Sequence, residues 1–182
     1  PLTAQAAKDF SASWQDLGGN QLATLQKLYI TENPNPTGQK EKLDDAGDGS
    51  SYSAMHRKYH PVYRELLQRR GYYDIFIFNM SGDLVYSVYK ELDYATNLNS
   101  GEWKDSDLGN VFRAASTNPA AGKVAFTDFA PYAPSYGAAA SFIATPVVHN
   151  GKFLGVLAFQ MPIARINAVM QSSAGMGESG ET

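Results

Sequence analysis

The 182-residue chain contains no cysteine, which excludes disulfides, thiolate chemistry and cysteine-built metal sites and is compatible with an oxidising compartment. Histidine occurs three times, at His56, His60 and His149. There is no Gly-x-Ser-x-Gly elbow, and Ser135 and Ser141 have no evident partner base, so nucleophilic catalysis finds no support and the chain is expected not to be an enzyme. No stretch approaches the roughly 20 apolar residues that cross a bilayer as a helix. Charge of one sign is scarce too: a net charge of −3 leaves no electrostatic footprint for nucleic acid. No internal repeat of solenoid period occurs. The chain opens on Pro1 and closes on a Gly/Ser-rich run, Gly175 to Thr182. Both ends therefore read as cut from a longer protein, with targeting and membrane segments removed.

What is present is two strand–turn–strand units around a helix. The first is Tyr72–Phe78, the turn Asn79-Met80-Ser81-Gly82-Asp83, and Leu84–Val88; the last is Ser141–Val148, the turn His149-Asn150-Gly151-Lys152, and Phe153–Gln160. β-Branched and aromatic runs joined by Asn/Ser/Gly turns predict antiparallel hairpins. A further apolar run, Lys123 to Phe129, predicts a fifth strand. Ser106 caps a helix to about Thr117, with Leu108, Val111, Phe112 and Ala115 on one side.

The N-terminal part, residues 3 to about 32, carries Phe10, Trp14, Leu17, Leu25 and Leu28 in an incomplete helical stripe. It predicts one long helix bent at Gly18-Gly19 and ended by Asn33-Pro34. Its stripe suggests either a homodimer seam or a cover for the chain's own sheet. A second helical pattern covers about 52–70, with Pro61 dividing it at the first turn of a new helix. A final helix starts at about Ile163. The expected fold is α+β: a PAS-like five-stranded antiparallel sheet with a long N-terminal helix and flanking helices. Residues 1–70 form a helical segment packing on the PAS-like unit of 71–162, and 163–182 form a C-terminal helix and truncated linker.

No cofactor or metal site is expected. His56 and His60 lack a Glu-x-x-His companion and read as exposed or locally hydrogen-bonded, and Asp44-Asp45-Ala46-Gly47-Asp48 fails the spacing of a calcium loop. The better candidates are polar residues on strands expected to be buried. Asp128 shares strand parity with Val124 and Phe126 and should point to their apolar face, where a carboxylate needs a donor; that donor is either a ligand's ammonium or backbone of the Pro131–Gly137 loop. Gln160 shares parity with Val156 and Ala158. Lys90, Asp93 and Asn97 follow the second strand, where the chain should arch over the sheet. Tyr86, Trp103, Tyr132, Tyr136 and Phe142 offer flat walls for a pocket, and Ser135 lies in the proline–aromatic loop beside them.

The segments Tyr59-His60-Pro61-Val62-Tyr63-Arg64, Gly71–Phe76, Gly82–Asp93, Thr96-Asn97-Leu98, Phe126–Ser135 and Gly155–Ala158 resemble, in order, the Cache (extracytoplasmic PAS-like) domains of bacterial methyl-accepting chemotaxis receptors and of related membrane sensor kinases and cyclases. The resemblance covers roughly residues 25–182. It implies a periplasmic module of an inner-membrane receptor, with a small-molecule pocket on one sheet face and signals leaving through the terminal helices. In amino-acid-binding relatives an Asp near a strand end grips the ligand's amine, a part that Asp128 would play. The Tyr–Arg–Trp–Tyr set that grips the carboxylate is not found here: Arg64 has other neighbours, and Trp103 stands in another context. The expected ligand is a small polar organic molecule of the carboxylate, amine or amino-acid type. Alternatives are the sensor of a histidine kinase or cyclase, or a module that docks a periplasmic solute-binding protein.

Overall fold

A run such as Asp-Ile-Phe-Ile-Phe has no polar face to give to water, so it must lie in the middle of a sheet covered on both sides. The computed structural model, which describes residues 2–163, places it there. The five-stranded antiparallel sheet has the order β2-β1-β7-β6-β3, from β1 (Asp74–Phe78), β2 (Leu84–Ser87), β3 (Ala125–Phe126), β6 (Phe142–His149) and β7 (Lys152–Gln160). A two-stranded ribbon, β4 (Ala130–Pro131) with β5 (Ala139–Ala140), projects beside it. The expected fold class and all five strands are present.

Two apolar layers follow from strand alternation. On one face Phe76, Phe78, Phe142, Ala144, Val156 and Ala158 pack with Leu108, Val111 and Phe112 of α4 (Asp107–Ser116). On the other, Ile75, Ile77 and Tyr86 lie under α1 (Leu2–Asp16) and α3 (Ser51–Arg70), which supply Phe10, Trp14, Tyr59 and Tyr63. Gly155 marks a register shift between β6 and β7. It takes φ +144°, and a Cβ there would lie 2.0 Å from the Phe78 carbonyl oxygen, so β7 can run against β1 only with glycine at this point.

Four expectations change. The N-terminal helix is two pieces, α1 and α2 (Gln21–Gln26, continued by a π turn over Lys27–Thr31), because Gly18 turns to φ +79°. The 52–70 helix is undivided: α3 runs through Pro61, its packed residues on both sides outweighing the one missing backbone bond. The predicted strand Lys123–Phe129 shrinks to Ala125–Phe126 at the sheet edge. Finally, Phe10 and Trp14 are buried in their own core and Leu17 packs against it, so that stripe covers the chain's own sheet and offers no dimer seam. The helix expected from Ile163 onward lies outside the described residues. Among the described residues no helix is long and apolar enough to cross a membrane.

Candidate ligand-binding site

Antiparallel register brings the first residue of β1 opposite the last of β7: Asp74 faces Gln160. Both share the phase of Phe76 and Ala158, and both are fully buried on the α4 side of the sheet. Asp74 Oδ1 accepts from the backbone N–H groups of Ile75 (2.7 Å), Val88 (2.9 Å) and Tyr89 (3.1 Å), and so pins the chain where it leaves β2. Beyond that point Lys90 (φ +59°) and Ala95 (φ +67°) fold the chain into the expected arch.

The arch delivers two more carboxylates. Glu91 accepts from the Tyr73 hydroxyl at 2.7 Å and from Ser135 Oγ at 2.7 Å. Ser135, which closes a 3-10 turn over Ala133–Ser135, accepts in turn from Gln160 Nε2 at 3.0 Å. The Tyr132 hydroxyl donates to Asp93 Oδ2 at 2.6 Å, and its ring meets Phe142 edge-on at 4.9 Å between centroids. Asp93, Tyr132, Ser135, Phe142 and Gln160, chosen from the sequence, thus come together, and Tyr73, Asp74 and Glu91 join them. The sequence held a signal for Asp74, a carboxylate in phase with Phe76 and Phe78, and for Glu91, which alternates with Asp93.

The cluster is short of donors. Asp74 Oδ2, Asp93 Oδ1 and Gln160 Oε1 are buried and without a hydrogen-bond partner among the described residues. Burial, with the charges of Asp93 and Glu91 adding to it, pushes Asp74 well above the carboxylate range. Burial likewise raises Asp93 to about 7, against the opposing bond from Tyr132, and it raises Glu91. Burial thus disfavours the ionised form of all three acids. On the outer side of Glu91 and Tyr73 opens a cleft of about 210 Å³, bounded also by Ile30, Lys40, Tyr89, Lys90 and Tyr136.

The remaining candidates lie elsewhere. Lys90 borders the same cleft but turns its ammonium to the α1–α3 side, donating to the Ser87 carbonyl and lying 4.6 Å from the ring of Tyr86, 5.0 Å from Tyr94 and 5.8 Å from Tyr29. Burial lowers Lys90 to about 7, with Asp74 opposing. Tyr86 shares a 2.8 Å hydrogen bond with His60 Nδ1. His60 and His56 are stacked at 4.3 Å and fully buried; their other bonds go to the carbonyls of Glu41 (2.6 Å) and Asp44 (2.7 Å). They are locally bonded as one of the two expected readings had it, but not exposed. Trp103 donates to the Leu92 carbonyl at 3.3 Å and lines a separate open groove of about 500 Å³ with Trp14 and Leu22.

Asp128 requires correction. It does share the side of Val124 and Phe126, but that side faces solvent: Val124 is 63% and Phe126 76% exposed, Asp128 is exposed as well, and its carboxylate accepts from the N–H of Phe129 at 2.7 Å. An edge strand two residues long has nothing stacked on its outer face, so its apolar residues do not mark a core. Asp128 leaves the candidate site.

No family model matches the chain, and no curated protein matches it. In structure it is similar to the sensor domain of the V. cholerae histidine kinase DctB (15% identity, 91% of this chain and 59% of that one, TM-score 0.49). It is also similar to the ligand-binding domain of the Pseudomonas fluorescens chemoreceptor CtaA in complex with L-serine (14% identity, 94% and 61%, TM-score 0.46). A third is the ligand-binding domain of the Campylobacter jejuni chemoreceptor Tlp3 in complex with 4-methylisoleucine (10% identity, 92% and 60%, TM-score 0.45). The chain spans about three-fifths of the length of these structures.

Proposed function

We propose that this chain is a non-catalytic, periplasmic ligand-binding sensor domain of a transmembrane chemotaxis receptor, and that it binds a small polar organic molecule at the Asp74–Asp93–Gln160 cluster. The observation that carries the reading is three buried, unpartnered oxygens at one end of the sheet, in a cluster whose Glu91 and Tyr73 line a cleft of about 210 Å³. Buried polar atoms without partners are destabilising, and a site that keeps them is built for something that satisfies them.

A ligand shifts the domain only by its differential affinity for two arrangements. The local event is movement of the loop at 132–137, since Tyr132 and Ser135 anchor it to the arch through Asp93 and Glu91. Strands β1 and β7, which carry Asp74 and Gln160, also carry on their reverse face the residues that pack under α1 and α3. Strain at the cluster is thereby handed to the N-terminal helices and, through β7, to the segment from Ile163 that would lead to the membrane. A homodimer in this reading uses a surface other than Phe10 and Trp14.

A thermal-shift screen of small metabolites tests the proposal. A specific ligand at one hundred times its Kd stabilises by about 2.7 kcal/mol, and Ser135→Ala should lose that shift while still folding. If no small molecule shifts the melting temperature, the reading is wrong.

A further inference from the structure

Between the π turn and α3 the chain crosses the domain as a strap, residues 37–46, with a single 3-10 turn at Lys40–Lys42. The strap begins as one wall of the 210 Å³ cleft, at Thr37, Gly38 and Lys40. It ends where Leu43 and Ala46 rest half-buried on the core. Lys40 is fixed by its bonds to the carbonyls of Ile30 and Asn35. Beyond it, four side chains of α3 reach the strap. Arg57 donates to the Asp45 carboxylate at 3.1 Å, and Arg64 to the Asp44 carboxylate at 2.6 Å and the Glu41 carbonyl at 2.7 Å. His60 and His56 bond the carbonyls of Glu41 and Asp44. Positions 56, 60 and 64 are spaced by four, so these three side chains form one row along the helix.

A carbonyl can only accept, so each imidazole must donate to it, His60 through Nε2–H and His56 through Nδ1–H. Their second nitrogens then carry lone pairs. His60 Nδ1 accepts from the Tyr86 hydroxyl at 2.8 Å, whereas His56 Nε2 is buried and has no partner among the described residues. An imidazolium donates from both nitrogens. In His56 the added proton would be buried without an acceptor, and in His60 it would point at a hydroxyl that already donates. The surroundings oppose it too. The rings stack on each other at 4.3 Å, and Lys90 from the arch and Arg64 from α3 place positive charge against both. The strap's own acids are engaged elsewhere, Asp44 with Arg64 and Glu41 facing Lys90. Tyr29 of the π turn, Tyr52 of α3 and Tyr86 of β2 close the remaining sides. Burial, and next the Lys90 charge, holds His60 down at about 2 and His56 well below the ordinary histidine value, against the bonds to the two carbonyls.

We propose that residues 41–46 are an acid-released strap, which His56 and His60 latch only while neutral, so that each ring takes up a proton only as it leaves its carbonyl and the strap lifts. The sign follows from linkage: the open form binds protons near pH 6.5 and the closed form does not, so the latch holds above that pH and loosens below it. Thr37, Gly38 and Lys40 run directly into the strap, so its release slackens one wall of the cleft. The inference stands apart from the sensor reading, since it needs no ligand.

Hydrogen exchange of the purified chain, read by mass spectrometry between pH 7.5 and 5.5, tests it. Rates are divided by those of the unstructured peptide at the same pH, which leaves the opening equilibrium. Opening of peptides covering 39–46 should grow about 100-fold over that range if both rings take up a proton, while β1 and β7 keep their protection. His60→Gln and His56→Gln, whose amides can still donate to the carbonyls without gaining charge, should each cut the response to about tenfold, and the double variant should abolish it. His149→Gln, in an exposed turn, should leave it whole. Nitrogen NMR of the parent serves if the variants do not fold. It should show His56 as the Nδ1–H tautomer and His60 as the Nε2–H tautomer, both neutral wherever the strap is protected. A strap whose protection ignores pH, an imidazolium beneath a protected strap, a pH response that survives in the double variant or is lost in His149→Gln, or equal loosening of β1 and β7 would overturn the latch.

Discussion

Two aspartates show how little residue type says about environment. Asp93 follows a predicted strand and Asp128 lies within one, and each sits among aromatic neighbours in the sequence. Asp93 is fully buried and bonded by Tyr132, whereas Asp128 accepts at the surface from its own neighbour's N–H. Tyr132→Phe removes the donor from a buried carboxylate oxygen and should destabilise the domain by about 1–3 kcal/mol in urea melts. Asp128→Ala should change stability by no more than about 0.5 kcal/mol and leave any ligand-induced thermal shift unaltered. Equal losses for the two variants would reverse their placement. Strand parity was legible for Asp128, since it does lie on the side of Val124 and Phe126. Which side was covered was not, because the alternation of a strand is the same whether its apolar face meets a helix or water. Asp93 stood out as an acid in an arch, but its pairing with Tyr132, 39 residues away, is set by tertiary packing alone.

Elements were more legible than residues where the local pattern was strong. The hairpins at 72–88 and 141–160 and the helix after Ser106 carry their own turns and caps, and Ser106 indeed accepts from Gly109 N. Where two local signals competed, tertiary contacts decided. Pro61 argued for a break, yet Tyr59, His60 and Tyr63 are all buried around it and the helix continues. Gly18-Gly19 argued for a bend in one helix, and the chain instead stops and restarts. The two glycines differ in a way that can be measured. A Cβ added at either would meet no atom within 4 Å, but only Gly18 has positive φ. Gly19→Ala should therefore stabilise by about 0.4–1 kcal/mol through the unfolded chain, and Gly18→Ala should cost about 1 kcal/mol or more in strain. Gly155→Ala is the severe case at this scale. Contact with the Phe78 carbonyl would force β7 away from β1, and a loss above about 2 kcal/mol is expected in the same melts. A Gly155→Ala protein as stable as the parent would show that the two strands do not approach as described.

At the scale of the whole molecule, two buried titrating groups pull stability in opposite directions with pH. His56 and His60 lie in the folded chain far below the ordinary histidine value, His60 at about 2, chiefly through burial. Their contribution is present above the unfolded value near 6.5 and is lost as pH falls below it, because only the unfolded chain accepts the proton readily. Asp74 and Asp93 are raised, Asp93 to about 7. Their contribution is complete below about pH 4 and is lost as pH rises toward 7, because the folded chain holds protons that the unfolded chain has released. Asp93→Asn isolates the second effect, since an amide imitates the protonated acid. At pH 4.5 the variant and the parent should be nearly equal in stability. By pH 8 the variant should be the more stable, by on the order of 4 kcal/mol, from about three pH units at ~1.4 kcal/mol each. Urea melts at the two pH values measure the difference directly. Parallel curves, or a variant weaker than the parent at pH 8, would mean that Asp93 is ionised at no cost in the resting domain.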